Sequence, residues 1–169
     1  MMGKITLITF SLLVLCACSE IKNKEGNKIR FGVDNCFILD DGEKLISYQS
    51  EKKIIDSLYS GLQRCGTIQY PINRIIQAKD HYFIISISTE NKLQRNLQAI
   101  DQCFSDYIID QNDTENEYLF EKEGVFGVLK MLETEEFTIF IYYLSKNESL
   151  SKAVFDDINY FKNKTDCSF

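Results

Sequence analysis

Chemistry in this chain has few side chains to draw on. His81 is its single histidine, the residue type that exchanges protons near neutral pH without perturbation. Three adjacent carboxylate pairs, Asp40/Asp41, Glu135/Glu136 and Asp156/Asp157, offer the groups that acid and base hydrolysis needs. The run "DQNDTENEYLFE" sets Asp110, Asn112 and Thr114 at odd positions and ends on Glu121, the outline of a calcium loop. Six cysteines stand at Cys16, Cys18, Cys36, Cys65, Cys103 and Cys167, and each is a candidate for metal, disulfide or modification.

Most of these groups fail to make a site by spacing alone. Neighbouring carboxylates point to different sides of a strand or helix, so none of the three pairs converges on a substrate. In the calcium-like run Glu115 stands where the sharp turn wants Gly, and Glu117 stands at the usually apolar eighth position. A solvated acidic loop is expected there. No CxxC pair and no Cys/His zinc spacing occurs, so neither a metal nor another cofactor is expected. No GxSxG, HExxH or phosphate-binding Gly loop accompanies His81, which reads as a structural or exposed histidine.

The first two cysteines have a different setting. Lys4 is followed by an apolar stretch from Ile5 to Leu15 and then by small residues, the layout of a cleaved secretory signal. A membrane span needs about 20 apolar residues to cross about 30 Å of hydrocarbon, and this stretch is shorter. Leu15-Cys16-Ala17-Cys18 resembles the lipobox of bacterial lipoproteins, with an aliphatic residue three positions before the cysteine and a small one directly before it. The resemblance implies cleavage between Ala17 and Cys18, a diacylglycerol thioether on Cys18 and an added acyl chain such as palmitate on its new amino group. Cys16 follows the bulky Leu15 and would leave with the signal. Ser19 resembles the pattern that sorts such proteins to the outer membrane, facing the periplasm. The other reading is an ordinary signal after which Cys18 is a thiol or a disulfide partner. Two or more lipid chains would make a stable anchor, where one is marginal.

Removal of residues 1–17 from the 169-residue chain leaves 152, enough for one domain with its own core. Residues 18–28 contain the polar "SEIKNKEGNK" and read as a lipidated flexible tether, and 29–169 as a single globular domain. The formal charge of −6 becomes about −7 without Lys4, which argues against nucleic acid as a partner. Cys36, Cys65, Cys103 and Cys167 remain, and in an oxidising compartment they invite two disulfides with three possible connectivities. Closing the shorter segments would pair Cys36 with Cys65 and Cys103 with Cys167.

These groups need elements to position them. Apolar runs flank Asp40-Asp41-Gly42 in "CFILDDGEKLISY" and Lys79-Asp80 in "INRIIQAKDHYFIISIS", predicting two hairpins. Ile54, Ile55, Leu58 and Leu62 form a helical face that Gly66 could end, with a strand reading also open for 51–65. Leu93, Leu97, Ile100, Phe104, Tyr107 and Ile108 predict an amphipathic helix. "VFGVLKML" and "FTIFIYYLS" predict a third hairpin about Glu133 to Glu136, and Leu150, Val154, Ile158 and Phe161 a last helix with Ser149 as N-cap. The fold class expected is α+β, an antiparallel sheet built of hairpins with two or three helices on one face and a split β-α-β order from Tyr82 onward.

Two classes of function follow. One is a membrane-anchored envelope lipoprotein with a non-enzymatic binding or scaffolding domain, of inhibitor or immunity type, that meets a protein partner. Its contact surface would be the acidic turn Glu133, Glu135 and Glu136, or outward members of the strand aromatics Tyr82, Phe83, Phe137, Phe140, Tyr142 and Tyr143, residues that for the most part are expected to pack the sheet. The other is a small envelope hydrolase using acidic residues or His81. Convergent carboxylates in a cleft would favour the second, and an exposed acidic or aromatic face the first.

Overall fold

The computed structural model describes residues 27–31, 35–47, 52–53, 72–88, 105–135 and 137–167. Their frame is a seven-stranded antiparallel sheet in the order β3-β4-β5-β9-β8-β7-β6. Its strands are β3 (Lys44–Ile46), β4 (Ile72–Gln77), β5 (His81–Ser88), β6 (Ile108–Asn112), β7 (Glu117–Lys122), β8 (Val125–Glu133) and β9 (Thr138–Ser145). A separate hairpin joins β1 (Lys28–Phe31) to β2 (Asn35–Ile38), and two short helices follow β9, α1 (Glu148–Asp156) and α2 (Tyr160–Thr165). The fold is therefore α+β and dominated by sheet.

β9 explains why the sheet holds. Its sequence "TIFIYYLS" has no charge, and all eight of its residues are buried between β5 and β8. Alternation splits its side chains. Phe140, Tyr142 and Leu144 join Ile75, Ile84, Tyr118, Phe120, Leu129 and Met131 on one face. Ile139, Ile141 and Tyr143 join Ile76, Phe83, Ile85, Leu119 and Val128 on the other, where Val154 of α1, Phe161 of α2 and Ile29, Phe31 and Phe37 of the β1–β2 hairpin complete the core. Gly127 pairs with Phe120 across β7 and β8, and the Phe120 ring covers the space that a side chain at 127 would take.

The hairpins around Lys79-Asp80 and Glu133–Glu136 are present as β4–β5 and β8–β9. β9 lies between β5 and β8, each antiparallel to it, so β5 and β8 run parallel as a split β-α-β order requires. The Asp40-Asp41-Gly42 turn is also present, closed by the Glu43 N–H to the Asp40 carbonyl at 3.0 Å, but it is not a hairpin. β2 pairs with β1 and β3 with β4, so the turn is a corner between two sheets. Composition marks a turn, and does not say which strand each arm joins.

Four further expectations are corrected. "DQNDTENEYLFE" is not a loop: it forms most of β6, a turn at 113–116 and most of β7, because Tyr118 and Phe120 bury one face and Leu119 the other. The last helix is broken in two. Asp157 takes an extended conformation, its Oδ1 accepts the Asn159 N–H at 3.0 Å, and Ile158 is left 60% exposed. A short aspartate side chain offers the backbone an alternative to the helix. Asn147, and not Ser149, is the N-cap, accepting the Ser149 N–H at 3.0 Å. The helix expected from Leu93 has lost its end, since Tyr107 lies in a turn and Ile108 begins β6. Its remainder lies outside the described residues, as does 54–66; Lys52 and Lys53, just before that segment, are helical.

The disulfide is Cys36–Cys167, with Cα atoms 5.9 Å apart, so neither expected pairing of these two cysteines is formed. Minimal loop closure is the wrong criterion here. α2 packs on β2 and delivers Cys167 to Cys36 across 131 positions of sequence. Cys65 and Cys103 lie outside the described residues. Because the bridge closes a loop of this length, breaking it by Cys36→Ser or by reduction is expected to lower unfolding free energy by roughly 3 to 5 kcal/mol in urea titrations. Non-reducing peptide mapping should recover the Cys36–Cys167 pair, and recovery of Cys36 with Cys65 would contradict it.

Candidate functional site

Two polar clusters interrupt the apolar core, both on the face that carries the helices. The larger lies where the β2–β3 corner, the β4–β5 turn and α2 meet. Lys164 is buried, although the run "FKNKT" around it is otherwise polar, because it stands three residues after Phe161 on the same side of α2. Its Nζ lies 2.7 Å from both carboxylate oxygens of Glu43 and 2.7 Å from Asp40 Oδ2. Glu43 also accepts the Asp40 N–H at 2.9 Å. The corner thus folds around its own acceptor, which receives the ammonium from α2.

Aromatic rings form the rest of this cluster. Lys164 Nζ stands 5.4 Å from the Phe37 ring centre and 5.3 Å from that of Phe83, both within cation–π range. His81 stacks on Tyr143 at 4.7 Å and meets Phe83 edge-on at 5.1 Å. Its Nε2 is 3.6 Å from Glu43 Oε1, an electrostatic contact beyond hydrogen-bond length. Tyr160 packs edge-on to Tyr143 and Phe161. Beside them Ser145 Oγ donates to the Asp80 carbonyl and accepts the Asn147 N–H, tying the β4–β5 turn to the start of α1.

Electrostatics follow from this packing. Burial alone would push the Glu43 carboxyl up, but His81, the Lys164 ammonium and the Asp40 N–H outweigh it and hold the group at about 2. The Tyr143 phenol is pushed up to about 12 by burial and by the charges of Asp80 and Glu43. Tyr160 is raised by burial, then by Tyr143 and Glu43. A carboxylate locked in its ionised form and two protonated phenols do not make an acid–base pair.

The second cluster pairs Lys130 of β8 with Glu117, its neighbour in register on β7. Lys130 Nζ donates to Glu117 Oε1 at 3.0 Å, to Glu115 Oε2 at 3.1 Å and to the Glu115 carbonyl at 2.5 Å. Glu117 Oε2 is buried without a hydrogen bond. Burial raises the Glu117 carboxyl above its usual range, Lys130 opposes this, and the charges of Glu115 and Asp157 add to the rise. Two glutamates therefore share one cation.

Few of the residues singled out by type come together. His81 and Asp40 join the first cluster, while Asp41 is exposed in the turn. Asp156 pairs with Lys152 at 3.0 Å on the surface of α1, and Asp157 caps the break after it. Glu133 and Glu135 are exposed at the β8–β9 turn, and Glu136 lies outside the described residues with Cys18. Asp113 and Glu115, in the β6–β7 turn, share that end of the sheet, which makes it acidic. Phe83, Phe140, Tyr142 and Tyr143 are buried in the two cores, where they pack the sheet and offer no outward face. Among the described residues no group of His, Cys, Asp or Glu could hold a metal ion, and no helix is long and apolar enough to cross a membrane.

Lys164, Glu43 and Lys130 were not singled out from sequence, and Glu117 was named only as a misfit in a calcium loop, although signals existed. Lys130 alternates with Val128 and Leu132 and so faces inward, and Lys164 shares a helical face with Phe161. The chain matches no protein-family model, no curated protein and no solved structure.

The two clusters should respond to acid with opposite signs. The folded Glu43 group, held near 2 against an ordinary 4.5, contributes stability that is present above about 4.5 and is lost as pH falls towards 2. Glu117 is raised, so its contribution is full at low pH and is lost as pH rises through its folded value. Unfolding at pH 7 and at pH 3 should show Glu43→Gln strongly destabilising at pH 7 and much less so at pH 3. Glu117→Gln should be neutral or stabilising at pH 7. Equal losses for both at pH 7 would contradict the assignment.

Proposed function

We propose that the chain is a lipid-anchored protein of the bacterial cell envelope whose folded part acts by contact with a protein partner. The observation that carries this reading is Leu15-Cys16-Ala17-Cys18 at the end of an apolar run. The Cys36–Cys167 bridge agrees with export, since disulfides persist in oxidising compartments. Lipid on Cys18 would hold the folded part at the outer membrane, facing the periplasm, through a tether ending near Lys28.

For the contact itself, the support is electrostatic. Glu133 and Glu135 project at the end of the sheet that also carries Asp113 and Glu115, which suits a basic partner steered by charge. An inhibitor or immunity role, intercepting a basic envelope toxin or lytic enzyme, fits that surface. The hydrolase alternative has less support, because the carboxylate nearest His81 is engaged by Lys164 and stays ionised.

Alkyne-tagged fatty acid fed to cells is expected to label the wild type and not Cys18→Ser, with the variant leaving the membrane fraction. Label retained on Cys18→Ser would remove the anchor assignment. In affinity capture from the envelope, changing Glu133, Glu135 and Glu136 to Lys should reduce recovery of the partner, more at low salt than at high salt. His81→Ala should leave recovery nearly unchanged. Loss of activity in a folded His81→Ala protein would instead favour the enzyme.

A further inference from the structure

The surroundings of Lys164 have the composition of a cation receptor. Two carboxylates meet its ammonium at 2.7 Å, and two phenyl rings face it at 5.3 and 5.4 Å. Negative charge at short range with aromatic faces behind it is how proteins bind ammonium groups from outside. Here the guest belongs to the same chain.

We propose that Glu43, Asp40, Phe37 and Phe83 form a binding site for a primary alkylammonium group, and that Lys164 is its built-in competitor. The host and guest come from distant parts of the chain. Phe37, Asp40 and Glu43 belong to β2 and the corner after it and Phe83 to β5, while Lys164 arrives on α2, a helix of six residues. The host is held without the guest: Phe37 and Phe83 contact each other edge-on at 5.0 Å, and the Asp40 N–H orients the Glu43 carboxylate. The site borders solvent on the Asp40 side, where the Asp40 side chain is 66% exposed while that of Glu43 is 4% exposed. A ligand entering past Asp40 would meet Glu43 last.

The guest is secured independently of its charge. Phe161 is buried in the core and Cys167 is bonded to Cys36, so α2 is held on both sides of Lys164. Tethering gives Lys164 a high effective concentration over any free amine, so the native chain is self-occupied. This inference is independent of the envelope reading, and neither stands or falls with the other.

The test is replacement of the guest. Lys164→Ala removes the amine and stem and should leave a cavity flanked by Glu43 and the two rings. Thermal unfolding of the full chain would be followed with n-butylammonium chloride, with n-butanol as the neutral match and sodium chloride as the ionic control. The variant's midpoint should rise by about 4 °C at ten times the amine's dissociation constant, with no such rise in n-butanol. Wild type should show no specific shift. Lys164→Met, which fills the stem volume without charge, should show none either. If Lys164→Ala fails to fold alone, refolding in n-butylammonium should recover it. Nα-acetyl-lysine methylamide binding as well would identify a partner's lysine as a source, while binding of the small amine alone would identify free amines. Equal effects of amine and alcohol, or no effect of either on stability or refolding, would overturn the proposal.

Discussion

A buried ammonium between two carboxylates is the constraint on which the described arrangement turns. Removing Lys164 from water is costly, and the contacts to Glu43 and Asp40 offset that cost only in this geometry. Moving α2 by a turn would part the buried Lys164 ammonium from the buried Glu43 carboxylate, a penalty of roughly 3 to 5 kcal/mol. The pair therefore sets where α2 lies together with buried Phe161 and the Cys36–Cys167 bond. Through Glu43 it draws the β2–β3 corner against the β4–β5 turn at His81.

The second cluster shows the same principle under different accounting of charge. Lys130 has two glutamates where Lys164 has a glutamate and a mostly exposed aspartate. Glu117 is the more deeply buried of the two glutamates and keeps one oxygen without a hydrogen bond, so its carboxyl rises while Glu43 falls. Burial acts on both groups in the same direction. What separates them is their neighbours: Glu43 is favoured in its ionised form by the His81 side chain, the Lys164 ammonium and the Asp40 N–H, and Glu117 has Glu115 and Asp157 opposing its one lysine. Apolar cores on the two sides of β9 supply cohesion, and these polar contacts supply position.

The pattern of apolar residues made the β8–β9 and β4–β5 hairpins legible, since apolar runs and turn signals there agree. It failed at Asp110–Glu121, where carboxylates and amides outweigh Tyr118, Leu119 and Phe120 in composition although the three apolar side chains decide the burial. It also failed at Asp157, where spacing of Leu150, Val154, Ile158 and Phe161 ignores a side chain that caps the backbone. The corner at Asp40 was visible as a turn, but strand partnership is a property of distant residues and leaves no local mark. Lys164 was hidden for a related reason. A lysine near the end of a polar helix reads as solvated until the chain bearing Glu43 and Asp40 is brought to it.

The Cys36–Cys167 bond also alters how the chain carries mechanical load. A pull applied at the N-terminal segment reaches β1 and β2 and then Cys36. If the opposing pull acts beyond Cys167, tension passes directly through the sulfur–sulfur bond. The 131-position loop between the two cysteines, with all seven strands of the large sheet inside it, is bypassed. Among the described elements only the β1–β2 hairpin lies partly in the line of force, and it can unzip while the sheet stays intact. Contour length on the order of 400 Å is thus withheld from extension until the bond is reduced.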